Sequence, residues 1–136
     1  MRIMLDTNVL VSAFIFGGKV RSALKLLFET NCEIYVSEYV DDEFKRILNE
    51  KWSEHAEKIY SLYRSADFVF CSSTSEILGH LRDEKDIPVL SDAIYHGVDI
   101  LLTGDKDFLT ADIEKPQVVS PTELLEYFSR KGFFYG

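Results

Sequence analysis

Arg2-Ile3-Met4-Leu5-Asp6-Thr7-Asn8-Val9-Leu10 is the stretch on which the rest of this chain turns. A short apolar run that ends in a carboxylate predicts a buried strand delivering Asp6 to its carboxyl end. In open α/β sheets, ligands and catalytic groups gather at that edge. A charge placed directly after buried hydrophobics is costly unless something pairs with it. A metal ion is one such partner, and further carboxylates follow at comparable positions. Asp6 has a plainer alternative, as the cap of the helix that begins near Val9.

Beyond this opening, strands and helices alternate. Strands are predicted at 2–5, 33–36, 67–71, 99–102 and 117–119. Helices are predicted at 9–15, from about 20 to 28, from Ser37 through Leu48, at 54–65, at 87–96 and from Pro121 to about Arg130. Gly17-Gly18 breaks the first helix, and Gly97 stops the fifth. Ser120-Pro121-Thr122-Glu123 is a capping box with proline in the first turn. Phe28, Phe44, Phe68, Ile59, Leu62 and Tyr63 are inward candidates. The pattern implies a three-layer α/β/α sandwich around a parallel sheet of about five strands. It forms one domain over 1–130, followed by an unexplained aromatic tail at 131–136.

Composition narrows the classes. At 136 residues, 46% apolar and 28% charged, the chain suits a single globular domain. No apolar run approaches the ~20 residues that span a bilayer, and the first residues lack a signal-peptide pattern. Cys32 and Cys71 make no disulfide framework and are expected as buried free thiols in a cytoplasmic protein. The net charge of −8 argues against a general nucleic-acid coat. It leaves room for a nuclease whose acids are partly neutralised by bound cations.

Four acids stand out: Asp6 after the first strand, Glu43 in the helix after the second, Asp86 opening the fifth helix, and Asp105 after the fourth strand. Oxygen-only sites of this kind suit magnesium or manganese. His55, His80 and His96 show no zinc-ligand spacing. Each acid has a competitor or a bland role. Glu43 and Asp41 flank opposite sides of one apolar stripe, and the helical wheel does not choose between them. Asp86 is equally placed to be an N-cap. Asp92 lies off the Ile87-Leu90-Ile94 face and is expected in solvent. Asp105 also shapes a Gly-Asp turn, with Asp107 close by.

Taken together, these residues resemble the PIN-domain family of metal-dependent ribonucleases, from Met1 to about Arg130. Leu5-Asp6-Thr7-Asn8-Val9-Leu10 is similar to the family's first motif, and Glu43 stands where its second acid does. Asp86, with Leu90, Ala93 and Gly97 downstream, resembles the third. Thr103-Gly104-Asp105-Lys106-Asp107-Phe108 resembles the fourth. The chain departs from many relatives at Asp83-Glu84-Lys85-Asp86-Ile87-Pro88, where Asp83 competes with Asp86.

The resemblance implies that Asp6, Glu43, Asp86 and Asp105 hold one or two Mg2+ or Mn2+ ions. Such ions activate water for in-line attack on an RNA phosphodiester. It casts Asn8 and Thr103 as supporting groups that orient ligands or water. Local turn hydrogen bonds are the alternative for both. Lys19, Arg21, Lys45, Arg46 and Lys106 are either phosphate contacts or ordinary solvated cations. Among relatives the chain looks most like the toxin of a toxin–antitoxin pair, which implies an antitoxin protein as partner and a homodimer. The alternative is a PIN-like RNA- or protein-binding module that does not cleave. Phosphatase-like and receiver-like readings fit poorly, since Asn8 replaces a second aspartate and Lys106 lies too near Asp105.

Overall fold

The computed structural model describes residues 1–130; the aromatic tail at 131–136 lies outside the described residues. Strands β1 (Arg2–Leu5), β2 (Glu33–Ser37), β3 (Val69–Cys71), β4 (Ile100–Leu102) and β5 (Gln117–Val119) form one sheet. Its order is β3-β2-β1-β4-β5, and every neighbouring pair is parallel. β1 lies at the centre, and Ile3, Met4 and Leu5 are completely buried. A strand covered on both faces needs such a continuous apolar run.

Helices α1 (Thr7–Val11), α2 (Gly18–Phe28), α3 (Glu38–Lys51), α4 (Ala56–Ser65), α5 (Ile87–Tyr95), α6 (Lys106–Leu109) and α7 (Pro121–Arg130) flank this sheet, giving the expected α/β sandwich. The chain winds outward from β1 through β2 to β3, then returns to the other side of β1 as β4. The crevice between the carboxyl ends of β1 and β4 is therefore a topological switch point, where such sheets bind ligands.

Beneath α3 and α4 lies an aromatic cluster. Phe44 and Tyr63 meet edge to face at 4.9 Å, and Phe14 and Phe68 close around Tyr63 at 5.7 Å each. Tyr63 is wholly buried, yet its hydroxyl donates to Asp41 at 2.7 Å. Tyr60 donates to the same carboxylate at 3.0 Å, and Arg64 lies 3.7 Å away. Asp41 thus clasps α3 to α4.

Several local expectations need correction. The first helix tightens to Thr7–Val11 and continues as a wider turn, Ser12–Phe16, closed by Gly17 N–H donating to the Ser12 carbonyl. Leu62 is 58% exposed and Phe28 37%, because their sides of α4 and α2 extend past the core. Cys32 and Cys71 are free but half-buried rather than buried, since both sit at sheet margins. α6 appears where only a turn was expected; at four residues it is too short to show periodicity.

Candidate metal centre

The site begins with strand register. Leu5 of β1 pairs with Leu102 of β4, so Asp6 and Thr103 leave the sheet side by side. The Thr103 hydroxyl donates to Asp6 Oδ2 at 2.8 Å, and Asn8 Nδ2 donates to the same oxygen at 2.9 Å. Asp6 Oδ1 accepts the Thr7 N–H at 2.8 Å, capping α1. Asn8 Oδ1 in turn accepts the Gly104 N–H at 3.0 Å, and Thr103 Oγ1 accepts the Asp105 N–H at 3.0 Å. The loops after β1 and β4 are stitched together, and each residue of the stitch has a defined orientation.

Into this frame α5 brings Asp86. Although Asp86 precedes the helix, its side chain makes no cap hydrogen bond. It turns instead toward Asp6 and Asp105, and one oxygen from each of the three lies within 4.8 Å of the others. Asp105 also caps α6 by accepting the Asp107 N–H at 2.9 Å. Asp6 and Asp105 therefore both cap and converge, whereas Asp86 converges only. Glu43 stands outside this triad but near enough for its charge to act on Asp6. Asp83, Asp86 and Asp107 make a second grouping, so Asp86 belongs to both and Asp83 only to the outer one. Asp83 is otherwise engaged, accepting the Lys85 N–H at 3.0 Å.

Crowding of acids shows in their protonation. Burial pushes the Asp6 carboxyl up; the bonds from Thr103 and Thr7 oppose this, while Glu43 and Asp105 add to it. Asp86 is pushed up to about 7, first by burial and then by the charges of Asp105 and Asp6. Asp86 Oδ2 is buried and lacks a hydrogen-bond donor. Among the described residues, the ion pairs are Arg46–Glu50 and Arg64–Asp41, and neither reaches the triad. Clustered carboxyl oxygens, one of them orphaned, with no ion-pair partner among the described residues, fit a hard divalent ion.

Two further features went unanticipated. Asp92 is 1% exposed, contrary to the expectation of solvent. It accepts the Ser73 hydroxyl at 2.7 Å and the Thr74 N–H at 2.8 Å, and Ser73 Oγ accepts the Tyr39 N–H at 2.8 Å. Its side of α5 meets a polar loop instead of water. Tyr39 is the second feature: burial and then the charges of Glu43 and Asp86 keep its phenol protonated. Its position one turn before Glu43 on α3 was the available signal. The candidate phosphate contacts are largely engaged elsewhere. Arg21 donates to the Ala13 carbonyl at 2.9 Å, Arg46 pairs with Glu50, and Lys45 lies over the Tyr60 ring. Lys19 and Lys106 remain exposed.

Fold and site together define an open parallel α/β protein with a carboxylate centre at its switch point. The PIN domain profile matches residues 2–107, and the chain belongs to the PIN-domain family. Among solved structures, its fold is similar to VapBC2 from Rickettsia felis bound to a promoter DNA fragment. That likeness has 20% identity and a TM-score of 0.72, covering 88% of this chain and 98% of the other. It is also similar to the Mycobacterium tuberculosis sarcin-ricin-loop-cleaving toxin VapC20. There the identity is 16% and the TM-score 0.60, covering 82% of this chain and 95% of that one. No curated protein matches the chain in sequence. Among the described residues, no helix is long and apolar enough to cross a membrane.

Proposed function

We propose that this chain is a divalent-metal-dependent endoribonuclease and the toxin of a toxin–antitoxin pair. The convergence of Asp6, Asp86 and Asp105, with Glu43 beside them, carries the reading. In it, residues 1–130 act as one nuclease domain, and these four acids hold Mg2+ or Mn2+. The bound ion supplies an activated water and charge neutralisation at the scissile phosphate. Asp6 is held in one orientation by Thr103 and Asn8, so the ion meets a preformed oxygen. Asp86 must give up its proton before it ligates. Asn8 and Thr103 fix the geometry without themselves being principal ligands.

The likeness to VapBC2 and VapC20 supports the rest of the reading. It comprises an RNA substrate, an antitoxin protein that covers the site, a homodimer and a cytoplasmic location. The test is cleavage of labelled single-stranded RNA by the protein and its Asp6→Asn variant, with manganese, magnesium or chelator. Metal-dependent cleavage lost in the variant is the expected result. Metal binding without cleavage by the native chain would overturn the nuclease reading and favour a binding module.

A further inference from the structure

Tyr39 sits in the first turn of α3, four residues before Glu43, and therefore on the same helix face. Its hydroxyl lies over the Lys85 carbonyl at 3.4 Å, one residue before Asp86. That separation is far longer than the ~2.7–2.8 Å of a well-made O–H···O bond. The charges of Glu43, Asp86 and Asp6 all reach the phenol, opposed by Arg46 on the next turns of α3, which places it at the border of the acid cluster.

The chemistry of the cluster makes a donor there significant. Ionised carboxylates only accept hydrogen bonds, and so do the free oxygens of a phosphodiester. Apart from a cation, whatever holds a phosphate over these acids must donate. Thr103 and Asn8 have spent their donors on Asp6 and on each other. The Thr7 hydroxyl has no partner but is buried out of reach. Tyr39, half-buried and weakly bonded, keeps a donor that can be re-aimed.

The backbone beneath Tyr39 is also held. Its N–H donates to Ser73 Oγ at 2.8 Å, and the Ser73 hydroxyl donates to the buried Asp92 at 2.7 Å. A relay from α5 through the loop after β3 thus ties down the start of α3. Asp92 and Ser73 are positioning residues for the tyrosine that follows from this geometry.

We propose that Tyr39 contacts the substrate, its hydroxyl donating to a non-bridging oxygen of an RNA phosphate lying over the acid cluster. This rests on the ribonuclease reading above. Tyrosine is among the side chains that contact nucleic-acid phosphates, and such contacts position the strand without reading its sequence. The contact forms in the ground state and persists in the transition state, so its loss appears in KM.

The experiment compares the native chain with Tyr39→Phe, which removes only the hydroxyl. Four quantities are measured: steady-state cleavage of labelled single-stranded RNA with manganese, anisotropy of the same RNA in calcium, manganese affinity and Tm. The expected result is a KM raised about ten-fold with kcat within about two-fold, and RNA affinity lowered about ten-fold. Manganese affinity and Tm stay unchanged. Equal RNA affinity of the two proteins overturns the proposal, whether or not the native chain cleaves. A fall in manganese affinity or Tm overturns it in favour of a structural role. RNA binding by the native chain without cleavage removes the nuclease reading alone, and the anisotropy then decides the role of Tyr39. No RNA binding by the native chain overturns both.

Discussion

The Thr103 hydroxyl donates a 2.8 Å hydrogen bond to Asp6 from 97 residues further along the chain. One short bond joins the ends of two central strands, and both partners are buried. Thr103 also accepts the Asp105 N–H, so a single hydroxyl orients one acid directly and the next through its backbone.

Thr103→Val keeps the shape and deletes that hydroxyl. It strips Asp6 of a donor and leaves the Asp105 N–H without an acceptor, a loss of about 2 kcal/mol. Thr7→Val is the contrast, because the Thr7 hydroxyl is buried without a partner. There the expected change is nil to about 1 kcal/mol stabilising. Urea unfolding of both variants checks the pair, and equal effects would contradict the assigned hydrogen bonds.

Asp105→Asn removes a negative charge while keeping the α6 cap, because asparagine caps as well as aspartate does. Manganese affinity should fall at least about ten-fold, and cleavage should be lost. The ion-free protein should keep its Tm or gain a few degrees, because like charges are relieved. Calorimetry and thermal unfolding separate the two effects; a large drop in Tm would assign Asp105 a structural role.

Asp86 titrates near 3.8 when unfolded and near 7 when folded. Between those values the folded state holds more protons, so this group favours folding below about pH 4. That contribution is lost as pH rises through about 7. The ion-free protein should therefore lose stability between about pH 4 and about pH 7 at this residue, an effect that Asp86→Asn abolishes. On the proposed reading, in which Asp86 ligates manganese, the ion displaces the same proton, so its affinity should climb over this window. Titrations in buffers of different ionisation enthalpy would show proton release; pH-independent affinity would refute the assignment.

Asp41→Ala tests the α3–α4 clasp apart from the acid cluster. It leaves the buried Tyr63 hydroxyl and the Tyr60 hydroxyl without their acceptor. The expected cost is about 2–3 kcal/mol, with manganese affinity unchanged. Asp42→Ala, on the exposed side of α3, is the control and should stay within about 0.5 kcal/mol of the native chain.

Much of this was legible because strand runs and their terminal acids are local. The opening run announces β1 and delivers Asp6, and Leu101-Leu102-Thr103-Gly104-Asp105 does the same for β4. Glu43 and Asp41 were not separable on a helical wheel, since both border the apolar stripe of α3. What separates them is tertiary: Tyr60, Tyr63 and Arg64 of α4 claim Asp41, while it is the charge of Glu43 that acts on Asp6. Asp92 misled because periodicity detects apolar partners only, and its partner is a polar loop around Ser73. Asp86 was ambiguous as a cap until its side chain was seen to make no cap bond.

The sheet order β3-β2-β1-β4-β5 also dictates a timetable. β1 is made before the other four strands of the sheet, yet one of its two neighbours, β4, is made only after β2 and β3. A growing chain can display Asp6 and Glu43 long before Asp86 and Asp105 exist to join them. Pairings this distant in sequence form late and slowly. An unfinished copy therefore has no acid cluster: until β4 and Asp105 are made, Asp6 and Asp86 lack the third carboxylate that closes the site.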